Sequence, residues 1–252
     1  MQVNKVKIAI PTYGGHRRPT HKRLKVLWGG RIARHCGEFI YIHLVINQPL
    51  LAAALTKALE LSGRIGESML VGTNFGIGAI VEDNLVIKAP DWFYVRSVLA
   101  TNPPNQTRRY TPNLQGEVTA IVMEFLSETE GGEYSIKSKY PPGKWYYYDR
   151  ILQVPNYAIF EPDAGTLELY QLDDGGRYQL QQPDANNRYW VSQMGLYLGI
   201  GQGSKANRTR WLRWWDETGQ MLLWGTELVE QERLRAERLA AQLRAAGIDP
   251  EV

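Results

Sequence analysis

The chain has 252 residues, 44% of them hydrophobic, and its 29 Lys or Arg against 26 Asp or Glu give a formal net charge of +3. That is enough apolar material to bury a sizeable core, and the length lies at the upper end of what one domain holds. One cysteine, Cys36, excludes an intrachain disulfide framework.

Residues 1–37 contain nine Lys or Arg and no Asp or Glu, which leaves 20 basic side chains against all 26 acidic ones in the rest of the chain. A basic arm on a mildly acidic body suits a phosphate backbone, and it equally suits a solvated tail outside the fold. The arm carries turn formers ("PTYGGHRRPTHKR") and no sustained period, so it is read as irregular. No apolar h-region with a small-residue cleavage site opens the sequence. The apolar stretch Phe39 to Leu61 is interrupted by His43, Asn47, Gln48, Pro49 and Lys57, so no membrane span is expected and the compartment is read as a reducing cytoplasm.

"PLLAAALTKALELSG", from Gln48 or Pro49, predicts a helix, with proline suited to the first turn and Gly63 at the far end. Short β-rich runs follow, broken by Gly, Asp-Asn and Pro: "SMLVGTNFGIGAIVEDNLVIKAPDWFYV", then "VTAIVMEFLS". "GKWYYYDRILQV" (Gly143 to Val154) has Trp145, Tyr148, Ile151 and Leu152 at helical spacing, and "NYAIFEP" restores a strand. "TLELYQLDDGGRYQLQQPDANNRYWV" predicts a hairpin meander and "RWLRWWDETGQMLLWG" another hairpin. The last segment, "TELVEQERLRAERLAAQLRAAG", predicts a charged helix or short coiled-coil arm, with Thr226 as N-cap and Ala236, Leu239, Leu243 and Ala246 at roughly heptad spacing. The organisation is then an arm (1–37), an α/β or α+β domain (38–225) and a terminal helix (226–252).

One residue breaks the pattern. Glu124 sits in "VTAIVMEFLS" (Val118 to Ser127), an apolar run of the kind covered on both faces of a sheet. A carboxylate withdrawn from water costs several kcal/mol unless a cation or metal receives it. "APDWFYV" supplies Asp91 at the head of a neighbouring strand, and two carboxylates at facing strand ends make a hard-oxygen site for Mg²⁺. The plainer alternative has Asp91 capping a turn and Glu124 paired with an arginine. Lys144, at the head of the following helix, is the candidate cation, with Lys137 and Lys139 as rivals.

Other constellations carry less. His16, His21, His35 and His43 with Cys36 fit no zinc spacing, and "GIGQG" (Gly199 to Gly203) lacks the flanking elements of a phosphate loop and is read as a loop. Trp211, Trp214, Trp215 and Trp224 are read as packing residues, while Arg108, Arg109 and Tyr110, between the acidic strands, are candidate substrate contacts.

The ordered set "APDWFYV", "VMEFLS", "GKWYYYDRILQVPNYAIFEPDAGTLELYQLDDGGRYQL" and "WLRWWDETGQMLLWG" resembles the bacterial Uma-type restriction endonucleases of the PD-(D/E)XK nuclease superfamily, from roughly Asn74 to the terminal helix. The resemblance implies a restriction-endonuclease-like core, a mixed β-sheet flanked by helices, with added hairpins and the C-terminal helix. It implies Mg²⁺ (or Mn²⁺) held by Asp91, Glu124 and the backbone carbonyl of Phe125, with DNA as substrate. The superfamily's lysine lies two residues after the glutamate, where this chain has Leu126, and in this family it has moved to the following helix, matching Lys144. Ser127 stands at the family's usual serine, although "SET" replaces the commoner Ser-Pro-Ser. The expectation is a metal-dependent DNA endonuclease with Asp91, Glu124 and Lys144 as its site, and a homodimer through the terminal helix is the candidate assembly. The rival is a binding or scaffold protein that keeps the nuclease fold without cutting and acts through that helix.

Overall fold

The computed structural model describes residues 47–100, 109–126, 132–202 and 210–249, together with three short strands of the N-terminal segment. Most of the basic arm, with Cys36 and the four histidines, lies outside the described residues, as do Arg108 and Ser127. The chain divides into two units, Met1–Leu44 and Val45–Val252. In the first, β1 (Val26–Leu27), β2 (Arg31–Ala33) and β3 (Phe39–Ile40) pair antiparallel in that order, where the sequence reading expects irregular chain as far as residue 37.

The second unit opens with α1 (Asn47–Leu61), then β4 (Leu70–Gly72), a hairpin of β5 (Gly76–Val81) and β6 (Asn84–Lys88), β7 (Trp92–Val95), β8 (Arg109–Tyr110) and β9 (Ile121–Phe125). A single turn α2 (Lys144–Tyr146) runs directly into a π-helical turn (Tyr147–Ile151). After it come β10 (Asn156–Glu161), β11 (Thr166–Leu172), β12 (Tyr178–Leu180), β13 (Arg188–Val191), β14 (Leu196–Gly201), β15 (Trp211–Trp215) and α3 (Gly225–Ala245).

The central sheet has the order β12-β11-β10-β9-β7-β4. It is mixed, since β9 and β10 run parallel and every other neighbouring pair is antiparallel. Side chains alternate between its faces with a period of two. Trp92, Tyr94, Ile121, Met123, Phe125, Ala158 and Phe160 belong to one apolar cluster, built against Leu51, Leu55 and Leu59 of α1 and Leu198, Leu212 and Trp214 of the sheet β13-β14-β15. Phe93, Val95, Val122, Tyr157 and Ile159 belong to the other, with Tyr147, Tyr148 and Leu152 of the π-turn region and Ile77 and Val86 of the β5–β6 hairpin. The inner strands β7, β9 and β10 are covered on both faces, as their continuous apolar runs predict.

α1 buries Leu51, Ala52, Leu55, Ala58 and Leu59, a single stripe at helical spacing. It ends as predicted: Gly63 takes φ +68°, its N–H donates to the carbonyl of Glu60, and the N–H of Arg64 donates to that of Leu59.

Three local expectations need correction. The helix expected over Gly143 to Val154 is one α turn followed by a π turn, closed by the N–H of Leu152 on the carbonyl of Tyr147. The wider turn brings the adjacent Tyr147 and Tyr148 into the core together. α3 begins at Gly225, with extended Trp224 rather than Thr226 in the N-cap position, because Glu227 reaches back to accept the N–H of Trp224 at 2.9 Å. Gly199 and Gly201 belong to strand β14, not to a loop. A Cβ on Gly201 would stand 2.8 Å from Cγ of Arg213 across the sheet, so glycine lets that large side chain lie flat.

Candidate active site

Glu124 is the fourth residue of β9, all five of which are buried. Alternation puts it on the face of Val122, against the π-turn region, where the hydroxyl of Tyr148 donates to its Oε1 at 3.2 Å. The ammonium of Lys144, on the first residue of α2, donates to its Oε2 at 3.1 Å. The short helix is held there by Tyr147, whose hydroxyl donates to the carbonyls of Ile77 and Val86 at 3.0 and 3.1 Å.

Asp91 precedes β7. The antiparallel register pairs Trp92 with Met123, so one step outward Asp91 lies beside Glu124. Its Oδ2 accepts the backbone N–H of Phe125 at 2.7 Å. The register sets the two residues named from the sequence side by side on neighbouring strands, close enough for the Asp91 charge to act on Glu124, and Lys144 joins Glu124 from the helix.

Sequence reasoning misses Glu133. It lies in the loop before α2, is 3% exposed, and its Oε1 accepts from Lys144 at 3.2 Å. The hydroxyl of Tyr157 donates to its backbone carbonyl at 3.0 Å, while its Oε2 is buried with no hydrogen-bond partner among the described residues. The loop "SETEGGEYSIKSKYPPG" has no period to mark one glutamate over another. The only available signal is physical: an ammonium beside a buried sheet can serve two acids.

The cluster holds more acid than base. Burial pushes the Glu124 carboxyl up to about 8; Lys144 opposes this, and the charges of Asp91 and Glu133 add to it. At Lys144 burial acts downward, but Glu124 and Glu133 outweigh it and hold the ammonium above its ordinary value. One ammonium shared by two carboxylates is strongly held itself and only half-compensates each acid. Lys88, at the end of β6, is lowered by burial and then by the like charges of Lys144 and Lys137, which places further cations near the cluster.

The other candidates are placed differently. Tyr110, read as a substrate contact, is fully buried: its ring stacks on Phe93 and its hydroxyl donates to the carbonyl of Glu117, so it is a core residue. Arg109 is partly exposed at the start of β8. Trp214 is fully buried, and Trp211, Trp215 and Trp224 are partly so.

The donors at this site are hard oxygens, which suit a small divalent cation, and a buried carboxyl pushed up by burial and by neighbouring acids, as Glu124 is, is the kind of group such a charge would relieve. Among the described residues no group of three or more His, Cys, Asp or Glu side chains is placed to hold a metal ion, so Asp91 and Glu124 would draw on backbone carbonyl, water and phosphate to complete a shell.

No helix of the described residues is long and apolar enough to cross a membrane. No curated protein matches the chain. Residues 42–202 match the model of the Uma2 family, whose description reads "Putative restriction endonuclease". The match starts upstream of Asn74, takes in α1 and the whole central sheet, and stops before β15 and α3, so the tryptophan-rich hairpin lies outside it. With more than half of its length matched, and with the mixed sheet, flanking helices and hairpins of a restriction-endonuclease-like fold, the chain belongs to the Uma2 family within the PD-(D/E)XK superfamily.

Proposed function

We propose that the protein is a divalent-metal-dependent endonuclease that hydrolyses phosphodiester bonds in DNA. The observation that carries this reading is the position of Lys144, whose ammonium lies 3.1 Å from a buried glutamate set beside Asp91 by the β7–β9 pairing. Family membership supports nuclease activity in general; the residue roles are those the resemblance implies, and the geometry around Glu124 is compatible with them.

Asp91 and Glu124, with the backbone carbonyl of Phe125, would hold Mg²⁺ or Mn²⁺. When bound, such an ion polarises a phosphate oxygen and lowers the pKa of a coordinated water. The Phe125 N–H holds Asp91 and the Tyr148 hydroxyl holds Glu124, which limits how far either carboxylate would reorganise. Lys144 has three N–H groups; two are engaged by carboxylates, and the side chain remains 24% exposed, so the third is available to orient the attacking water or to meet charge developing on phosphate. Arg109, with Arg108 and Ser127 from the segments outside the described residues, is a candidate substrate contact. The reading places the enzyme in the cytoplasm.

A second reading has support from α3. Val229, Leu239 and Leu243 are 71%, 51% and 38% exposed on a helix with no buried residue, as a seam for another chain would be. A homodimer through α3 is compatible with cutting both strands, and a scaffold that has ceased to cut would use the same seam.

The test is cleavage of plasmid and of short single-stranded and duplex DNA with Mg²⁺ or Mn²⁺, with EDTA controls, comparing wild type with Glu124→Ala and Lys144→Ala. Cutting by wild type alone, with both variants folded, supports the endonuclease. If nothing cuts and Mn²⁺ leaves the melting temperature unmoved, the scaffold reading takes its place.

A further inference from the structure

Glu133 is the one buried acid of the cluster that neither the family resemblance nor the strand pattern assigns. A lysine carries four rotatable bonds and about 2 kcal/mol of rotamer entropy, so a single carboxylate leaves its head free to swing. Here Glu124 and Glu133 grip the ammonium from two elements, a strand and a loop, at 3.1 and 3.2 Å. The loop is tied down in turn. The Tyr157 hydroxyl, from the strand beside β9, holds the Glu133 carbonyl, the Gly143 N–H donates to the carbonyl of Lys137, and the Tyr146 N–H donates to that of Ser135. Gly143 itself touches the loop so closely that a Cβ there would stand 2.1 Å from the Ser135 carbonyl oxygen. Glu133 is 3% exposed, and among the described residues its Oε2 has no hydrogen-bond partner, an arrangement that costs stability. Replacing a whole buried ion pair by well-packed apolar residues is often neutral or stabilising, so fold stability alone does not account for keeping an acid here.

We infer that Glu133 is a positioning residue for Lys144: it fixes the ammonium in the place from which Lys144 acts, without itself touching substrate or metal. This rests on the nuclease reading above. It also assigns a purpose to the tight junction between the loop and α2, which keeps the Glu133 and Lys144 backbones at a constant separation while Glu124 supplies the fixed second acceptor.

The experiment uses the full chain, with duplex DNA and Mn²⁺, and compares wild type, Glu133→Ala, Lys144→Ala and the double variant in single-turnover and steady-state cleavage. Thermal melts with and without Mn²⁺ run alongside. Glu133→Ala should lower kcat by about 10²-fold, as misplacement of a catalytic group does, with KM and the Mn²⁺-induced melting shift unchanged. In the Lys144→Ala background it should produce no further loss, since a residue acting only through Lys144 has nothing left to act on. Should Glu133→Ala fail to fold, Glu133→Gln takes its place in the same cycle. An unchanged kcat, losses that add in the double variant, or disappearance of the Mn²⁺ shift would overturn the inference while leaving the nuclease reading standing. A wild type that does not cut would overturn both.

Discussion

Two buried ionic clusters in this protein are built to opposite rules. Around Arg213, on β15, the cation is almost completely answered. Its two terminal nitrogens meet both oxygens of Glu227 at 2.9 and 2.6 Å, the carbonyls of Gln202 and Leu222 accept further bonds, and the Trp224 ring centroid lies 3.9 Å from the guanidinium carbon. Only Nε lacks a hydrogen-bond partner among the described residues. Burial would raise the Glu227 carboxyl, yet Arg213 and the Trp224 N–H hold it below its ordinary value. Around Lys144 one ammonium serves two carboxylates with a third nearby, one oxygen has no hydrogen-bond partner among the described residues, and Glu124 is driven up. A satisfied cluster closes a hairpin onto a helix. An unsatisfied one carries excess negative charge that a ligand of opposite charge would answer, and the surrounding sheet and tyrosines hold it in place.

The contrast is sharpest under amide substitution. Glu124→Gln should reduce cleavage by about 10²–10³-fold and, without metal, stabilise the fold by about 1–2 kcal/mol because the cost of burying an acid disappears. Glu227→Gln should do the reverse, losing stability and keeping cleavage. Denaturant titration beside a cleavage assay reads both. Next in size, Arg213→Ala should destabilise by about 3 kcal/mol, since it strands a partly buried carboxylate and opens space under Trp224; urea unfolding measures it.

A smaller effect separates the two clusters by pH. The folded Glu124 holds its proton up to about 8 against an ordinary 4.5, so its contribution is present below 4.5 and lost as pH rises through 8: wild type should lose stability relative to Glu124→Gln across that window, at no more than about 1.4 kcal/mol per pH unit. The folded Glu227 sits below its ordinary value, so its contribution is present above 4.5 and is lost as pH falls through the folded value. Melting curves of wild type and the two amide variants between pH 3 and 9 would show the slopes with opposite sign. Least of all, Arg233→Ala, which breaks exposed pairs with Glu230 and Glu237 on α3, should leave the melting temperature nearly unchanged and less affected still at high salt.

The sequence carries the unsatisfied cluster better than the satisfied one. Glu124 is legible because it interrupts an apolar strand, and Asp91 because a proline and an aromatic run put it at the head of the next one. Two-residue periodicity and pairing then leave them little choice but to meet. Lys144 is legible as the first cation of a helical pattern, even though that helix turns out to be one turn of α and one of π. Glu133 is not, because its position depends on how a loop folds back over Tyr157, a long-range fact with no local trace. Arg213 is hidden differently: it sits between tryptophans in "RWLRWW", and nothing local says that its partner is Glu227, which in turn moves the start of α3 from the expected cap at Thr226 to Gly225. Tyr110 fails as a substrate contact for a related reason, since proximity in sequence to a basic pair does not reveal that its ring stacks on Phe93. Strands and their facing residues follow from patterns within the segment, whereas burial of single polar or aromatic groups follows from what the rest of the fold brings to them.

Direct titration of the full chain with Mn²⁺, followed by the loss of the free-ion electron paramagnetic resonance signal, tests the central claim without depending on the choice of substrate. Wild type should bind the ion saturably at neutral pH, more tightly as pH rises and Glu124 gives up its proton, and Glu124→Gln and Asp91→Asn should each abolish that binding. No binding by wild type, or equal binding by all three proteins, would contradict the assignment of these carboxylates to a metal-dependent active site.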